Sequence, residues 1–140
     1  MSRYLARRNL LEARTVTTTP SFTAVNHVQL AIPAGGEQEC RAFWGELLGL
    51  CEIPKPPLLA ARGGCWFQGP GFQVHLGVEQ DFRPTLKAHP GFEVRGLRAL
   101  ADRLTTHGHR VTFSDEVPGQ DRFHTVDPFG NRLEFLEPHS

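Results

Sequence analysis

The alternation of hydrophobic and polar residues predicts a first set of secondary-structure elements between residues 25 and 78. Residues 25–32 alternate with period two and predict a strand. From Glu37, apolar residues recur three or four positions apart, which predicts an amphipathic helix ending at Gly49. The proline-rich residues 54–57 predict a loop or an edge, and short strands are predicted at residues 58–62, 65–68 and 72–78. The order is therefore βαβββ.

The same order recurs in the second half of the chain. Residues 91–94 alternate as a strand, and Leu97, Leu100 and Leu104 mark one face of a helix that ends at Gly108. Further strands are predicted at residues 111–114, 123–126 and 132–136. Because 140 residues with 39% hydrophobic content can bury one core, we expect a single α+β domain over residues 25–138. Its two modules span about residues 25–80 and 88–137.

Composition argues against several classes of partner. The chain has 15 Lys and Arg against 15 Asp and Glu, so no net charge attracts nucleic acid or an anionic membrane. No run approaches the ~20 apolar residues of a membrane span. Three cysteines without a CxxC pair fit a reducing compartment, which predicts a cytoplasmic protein. Residues 1–24 are basic and polar, and we expect them to be an N-terminal extension of the domain.

The repeat brings four potential metal ligands to matched positions. It sets His27 against His89 and His75 against Glu134, each on the strand face opposite its apolar neighbours. A single histidine in a strand is more often an exposed or hydrogen-bonded residue than a ligand. Four matched positions on the predicted inner face instead favour a site for a divalent metal ion, because imidazole and carboxylate are suitable ligands.

Residues 24–138 resemble the vicinal oxygen chelate superfamily, which includes glyoxalase I, extradiol dioxygenases, fosfomycin-resistance transferases and bleomycin-resistance proteins. The motifs that carry the resemblance are His27-Val28, Phe43-Trp44-Gly45 through Leu48-Gly49-Leu50, and Asp127-Pro128-Phe129-Gly130-Asn131-Arg132-Leu133-Glu134. The resemblance implies that the paired modules form a curved mixed sheet around a metal-binding cup. It also implies that His27, His89 and Glu134 form the metal triad.

His75 departs from the glyoxalase I pattern, since those enzymes usually carry at this position a glutamate that is implicated in proton transfer. We expect His75 as a fourth ligand, and His75 and Glu134 as the catalytic residues. The implied cofactor is one divalent ion that binds the substrate through neighbouring oxygens. Two histidines and a carboxylate would suit Fe(II), whereas four ligands would suit Zn, Ni, Co or Mn.

The expected function is therefore that of a metal-dependent lyase, isomerase or dioxygenase acting on a small molecule. The alternative is a non-catalytic protein that sequesters a small molecule, as bleomycin-resistance proteins do. Related proteins often build the cup from modules of two chains, so the resemblance also implies a homodimer. Neither reading involves nucleic acid or a membrane.

Six further residues are candidates for substrate binding. Gln29 and Glu93 are expected at matched inward positions after His27 and His89, as hydrogen-bond partners or a general base. Arg122 is expected to clamp an anionic substrate or to form a surface ion pair beside Asp121. The remaining candidates are His124 at the mouth of the cavity and the aromatic residues Trp66 and Phe129, for which a core position is the default interpretation.

Overall fold

A computed structural model describes residues 18–140 of the chain, so residues 1–17 of the predicted extension lie outside the described part. The described residues form two βαβββ modules, each with a four-stranded mixed sheet. This confirms the predicted α+β fold and the predicted repeat. None of the helices in residues 18–140 has the length and apolar character needed to cross a membrane.

The first module contains four strands and two helical segments. In chain order these are β1 (His27–Ile32), α1 (Glu37–Cys40), which continues as a π-helical segment (Arg41–Leu47), β2 (Cys51–Ile53), α2 (Pro57–Ala60), β3 (Cys65–Gly69) and β4 (Phe72–Val78). The strand order is β1-β4-β3-β2. β1 runs parallel to β4, while the other two pairs are antiparallel. The two central strands, β3 and β4, match the predicted strands closely.

The strand predicted at residues 58–62 is wrong. That region forms the short helix α2, and the missing strand lies earlier, at Cys51–Ile53, where it pairs with β3. Pro57 stands in the first turn of α2, where its fixed φ angle and missing N–H are tolerated. A three-residue edge strand carries too little alternation to be recognised against a proline-rich neighbour.

The second module repeats this arrangement with different lengths. Its elements are β5 (Gly91–Glu93), α3 (Leu97–Thr106), β6 (Thr112–Ser114), β7 (Gln120–Val126) and β8 (Arg132–Pro138). The strand order is β5-β8-β7-β6, with β5 parallel to β8. The first and last strands of the two modules therefore hold equivalent places in their sheets.

The two modules share one hydrophobic core. Its buried members come from the helices and from one face of each sheet, including Phe43, Leu104 and Phe135. Aromatic rings connect the modules, because Phe92 of β5 contacts Phe72 of β4 at a centroid distance of 5.3 Å. Burying these apolar faces directs the alternate side chains of each strand to the opposite face of its sheet.

The turn between β7 and β8 fixes the second module to the first. The buried Asp127 accepts hydrogen bonds from the backbone N–H groups of Phe129 and Asn131, each at 2.9 Å. The Asn131 side-chain amide donates to the carbonyl of Ala31 in β1 at 2.8 Å. The resemblance motif from Asp127 to Asn131 is thus a structural element that positions the start of β8.

Candidate functional site

Strand register defines which positions correspond on the two sheet faces that turn away from the core. In the first sheet, Gln29 and Trp66 lie on either side of His75. In the second sheet, Gly91 and His124 lie on either side of Glu134. The counterpart of Gln29 is therefore Gly91. The expected match of Gln29 with Glu93 is wrong, because Glu93 lies one inward position further along, opposite Leu136.

Three potential ligands converge on the second sheet. His89, His124 and Glu134 form a group whose ligand atoms all lie within 4.8 Å of one another, and it is the one such group of three or more in residues 18–140. Glu134 Oε1 lies 3.0 Å from His124 Nε2 and 3.7 Å from His89 Nε2. The group combines two residues of the predicted metal set with a histidine that was predicted at the cavity mouth.

Local contacts orient the two histidines. Nδ1 of His89 lies 2.8 Å from the carbonyl oxygen of Lys87, which can only accept, so Nδ1 donates and Nε2 keeps its lone pair. Burial lowers the pKa of His124, and the charge of Arg132 lowers it further, although Glu134 acts in the opposite direction. His89 therefore turns Nε2 toward Glu134, and the lowered pKa of His124 favours its neutral form at neutral pH.

Glu134 is held by an arginine as well as by the histidines. Arg122 donates from Nη1 to Glu134 Oε1 at 2.9 Å, and its other terminal nitrogen lies 3.6 Å from Glu116. Asp121, the alternative partner considered for Arg122, contacts His139 instead. The second carboxylate oxygen, Oε2, lies beside Gly91, where an added Cβ would be 3.3 Å away. The absence of a side chain at Gly91 leaves room around this oxygen.

The corresponding group on the first sheet is aromatic. The His75 ring lies between His27 and Trp66, stacked at centroid distances of 4.1 Å and 3.8 Å. Nε2 of His75 lies 2.8 Å from Oε1 of Gln73, whose amide nitrogen donates to Gln68, so this nitrogen of His75 acts as a donor. Burial lowers the pKa of His75, and the charges of His27 and Lys55 add to the effect. The lowered pKa favours the neutral form of His75 at neutral pH.

The predicted quartet is consequently divided between two places within the chain. His89 and Glu134 belong to the group on the second sheet, whereas His27 and His75 form the stack on the first sheet. His124 was predicted at the cavity mouth and not as a potential ligand, because it has no histidine counterpart in the first module. Counting back across the turn from Glu134 would have placed it directly opposite that residue.

The other predicted site residues lie at separate places. The Gln29 side chain lies over Gly77, where its amide nitrogen would be 2.7 Å from an added Cβ. Phe129 packs partly buried against the core and contacts Phe82 at a centroid distance of 6.3 Å. Glu93 is exposed and lines a surface cavity with Arg95. No hydrogen bond or ion pair within residues 18–140 joins these three residues to His89, His124 or Glu134.

No protein-family model and no curated protein matches the chain. Among solved structures, it is 44% identical to a glyoxalase family protein from Bacillus anthracis, with 86% of this chain and 99% of that chain covered and a TM-score of 0.83. It is 16% identical to lactoylglutathione lyase from Agrobacterium tumefaciens, with coverage of 84% and 96% and a TM-score of 0.67. TnmS3, an antibiotic binding protein from Streptomyces sp. CB03234, is 17% identical, with coverage of 86% and 99% and a TM-score of 0.66. The last two similarities show the fold alone.

Proposed function

The chain belongs to the glyoxalase family, within the vicinal oxygen chelate superfamily, and we propose that it is a metal-dependent enzyme acting on a small molecule. The substrate would bind one divalent ion through neighbouring oxygen atoms. The observation that carries this proposal is the convergence of His89, His124 and Glu134 on the face of the second sheet.

The three side chains fit a divalent ion chemically. Two imidazole nitrogens and a carboxylate are suitable donors for Zn, Ni, Co, Mn or Fe(II), which bind such ligands at about 2.0–2.2 Å. Ligands at that distance from one ion lie roughly 3–4 Å apart, so a group already within 4.8 Å needs only a small closure. Gly91 leaves Oε2 of Glu134 accessible even while Arg122 holds Oε1.

When bound, the ion would act as a Lewis acid that stabilises an enolate or oxyanion of the substrate. The protein's own groups would supply the rest. Arg122 fixes the Glu134 carboxylate, and Glu134 is both a ligand and a proton acceptor in this proposal. His75 is buried and neutral, so it can accept a proton at neutral pH. Two proton acceptors favour a lyase or an isomerase over a dioxygenase.

We also propose a homodimer in which the first sheet of one subunit faces the second sheet of the other. His27 and His89 are exposed in the single chain, and each belongs to only half of the matched set. A dimer of this kind would bring the partner subunit's His27 and the partner subunit's His75 to His89 and Glu134. Sedimentation at micromolar concentration should give the mass of two chains, and a monomer with full metal content would contradict this assembly.

A second candidate function is the binding of an aromatic small molecule without catalysis. It is favoured by the stack of His27, His75 and Trp66, which presents a flat aromatic surface. The antibiotic-binding protein TnmS3 shares the fold. A metal requirement separates the two functions, because such a binder needs no ion.

Metal analysis of untagged protein purified without chelators tests the enzyme proposal. We expect about one equivalent of a divalent metal per site, and His89→Ala, His124→Ala and Glu134→Ala should each weaken its binding at least about tenfold. His107→Ala is a matched control, because this histidine is exposed at the end of α3. Wild-type protein that takes up less than about a tenth of an equivalent after incubation with each candidate ion would overturn the proposal.

A further inference from the structure

A recess lies next to the His89, His124 and Glu134 group, at the ends of strands in the second module. Its volume is about 240 Å³, and His124 forms part of its wall. The other polar side chains that line it are Arg110, Arg132, Thr85, Thr112 and Thr125. None of the residues lining it is acidic, whereas four other surface cavities each contain an acidic side chain.

The two arginines of the recess lack a carboxylate partner among residues 18–140. Among the arginines of residues 18–140, only Arg41 and Arg122 have such a partner, with Glu52 and Glu134 respectively. Arg132 instead donates to the carbonyl oxygen of Lys87 at 3.3 Å. The chain has no net charge, so two unpaired guanidinium groups at one recess create a local positive potential.

The hydroxyl groups of the recess complement this charge. Within the described part of the chain, the hydroxyls of Thr85 and Thr112 have no hydrogen-bond partner, and both residues are exposed. The Thr125 hydroxyl donates to the carbonyl oxygen of Arg110 at 2.7 Å and so fixes the backbone that carries this arginine. Guanidinium and hydroxyl donors around a small recess form the surroundings that an oxyanion requires.

We propose that this recess binds a carboxylate or phosphate group of the substrate. The part of the inference that concerns the substrate rests on the proposed function, because His124 belongs both to the recess and to the group of potential metal ligands. The substrate is then an anionic small molecule. Its charged group occupies the recess, and its neighbouring oxygens face the other side of the His124 ring.

Titration calorimetry of metal-free protein at low ionic strength tests the recess directly, with inorganic phosphate and acetate as separate probes. Arg110→Gln and Arg132→Gln should each weaken binding roughly tenfold, as expected for the loss of a charge-assisted hydrogen bond. Thr112→Val should weaken it less. Arg95→Gln, which removes the same charge from another exposed site, should leave binding unchanged. Tighter binding of phosphate indicates a phosphate ester as substrate, and equal or tighter binding of acetate indicates a carboxylate.

Wild-type protein that binds neither anion, or arginine variants that bind both as tightly as wild type, would overturn the proposal. A parallel titration with Mn²⁺ separates this failure from failure of the enzyme proposal. If the protein takes up Mn²⁺ but binds no anion, the recess proposal fails and the metal-site proposal stands. If the protein binds anions through Arg110 and Arg132 but takes up none of the candidate ions, the recess proposal stands and the metal-dependent function is overturned. With both bound, Mn²⁺ should broaden the ³¹P resonance of phosphate, and Arg132→Gln should remove the broadening.

Discussion

The faces of the two sheets use the same backbone positions for different chemistry. On the first face, His75 lies between Gln29 and Trp66 in register, and the rings of His75 and Trp66 stack. On the second face, Glu134 lies between Gly91 and His124, and a carboxylate contacts a histidine and an arginine. The first face is aromatic, whereas the second is ionic.

This difference shows how the two modules of a structural repeat can supply different functional groups to one site. The aromatic face has no carboxylate in its stack, and Nε2 of His75 is already bonded to Gln73. The ionic face has the carboxylate and two histidines, with open space at Gly91 beside it. In the proposed enzyme, the ionic face therefore holds the metal, and the aromatic face contributes imidazole rings and a surface for the substrate.

Removing the central residue of each face tests this assignment of roles with the largest expected effect. Glu134→Ala should weaken metal binding about a hundredfold or more, because it removes the carboxylate and leaves Arg122 without its partner. His75→Ala should weaken it about tenfold at most. Competition with a fluorescent chelator would measure both affinities. An equal or larger loss for His75→Ala would reverse the assignment of the two faces.

The turns that precede β4 and β8 offer a comparison of stability. Asn131→Ala should lower the free energy of unfolding by about 2–4 kcal/mol, because Asn131 is buried and its side chain bonds to both Asp127 and Ala31. Gln68 also bonds to its own turn, at Gly69 and Phe72, but it is partly exposed. Gln68→Ala should therefore cost less than about 1 kcal/mol in urea denaturation. Similar losses of unfolding free energy for the two variants would contradict the stated difference between the turns.

The smallest expected effect is the pH dependence of stability in metal-free protein. Burial lowers the pKa of both His75 and His124, so the unfolded chain binds more protons below its histidine pKa of about 6.5. Stability should be complete above that pH and should fall as the pH decreases toward the folded-state values. His75→Gln should flatten this slope more than His124→Gln, because Glu134 partly offsets the lowering at His124. Urea denaturation midpoints measured between about pH 7.5 and 5.5 would give the slope of stability against pH for each protein. A steeper slope in either variant would contradict the stated cause.

The sequence could predict much of the fold because most elements carry a clear period. β4 and the start of α3 were placed correctly by alternation and by helical spacing. β2 was misplaced because three residues give almost no pattern, and its position depends on pairing with β3. The helix from Glu37 was found, but its π-helical continuation was not, because hydrophobic spacing does not distinguish the two hydrogen-bond patterns.

By itself, the sequence determined the repeat and the inward faces, because these follow from local periodicity, whereas a shared site for His89 and Glu134 was implied by the resemblance. Only the tertiary structure brought Arg122 to Glu134, since Arg122 lies opposite Leu136 in register and its contact with Glu134 depends on how the side chains pack. It also separated His27 and His75 from the other two predicted ligands. Periodicity indicates which face of its strand a residue occupies, but it does not indicate which side chains of other strands will lie beside that residue.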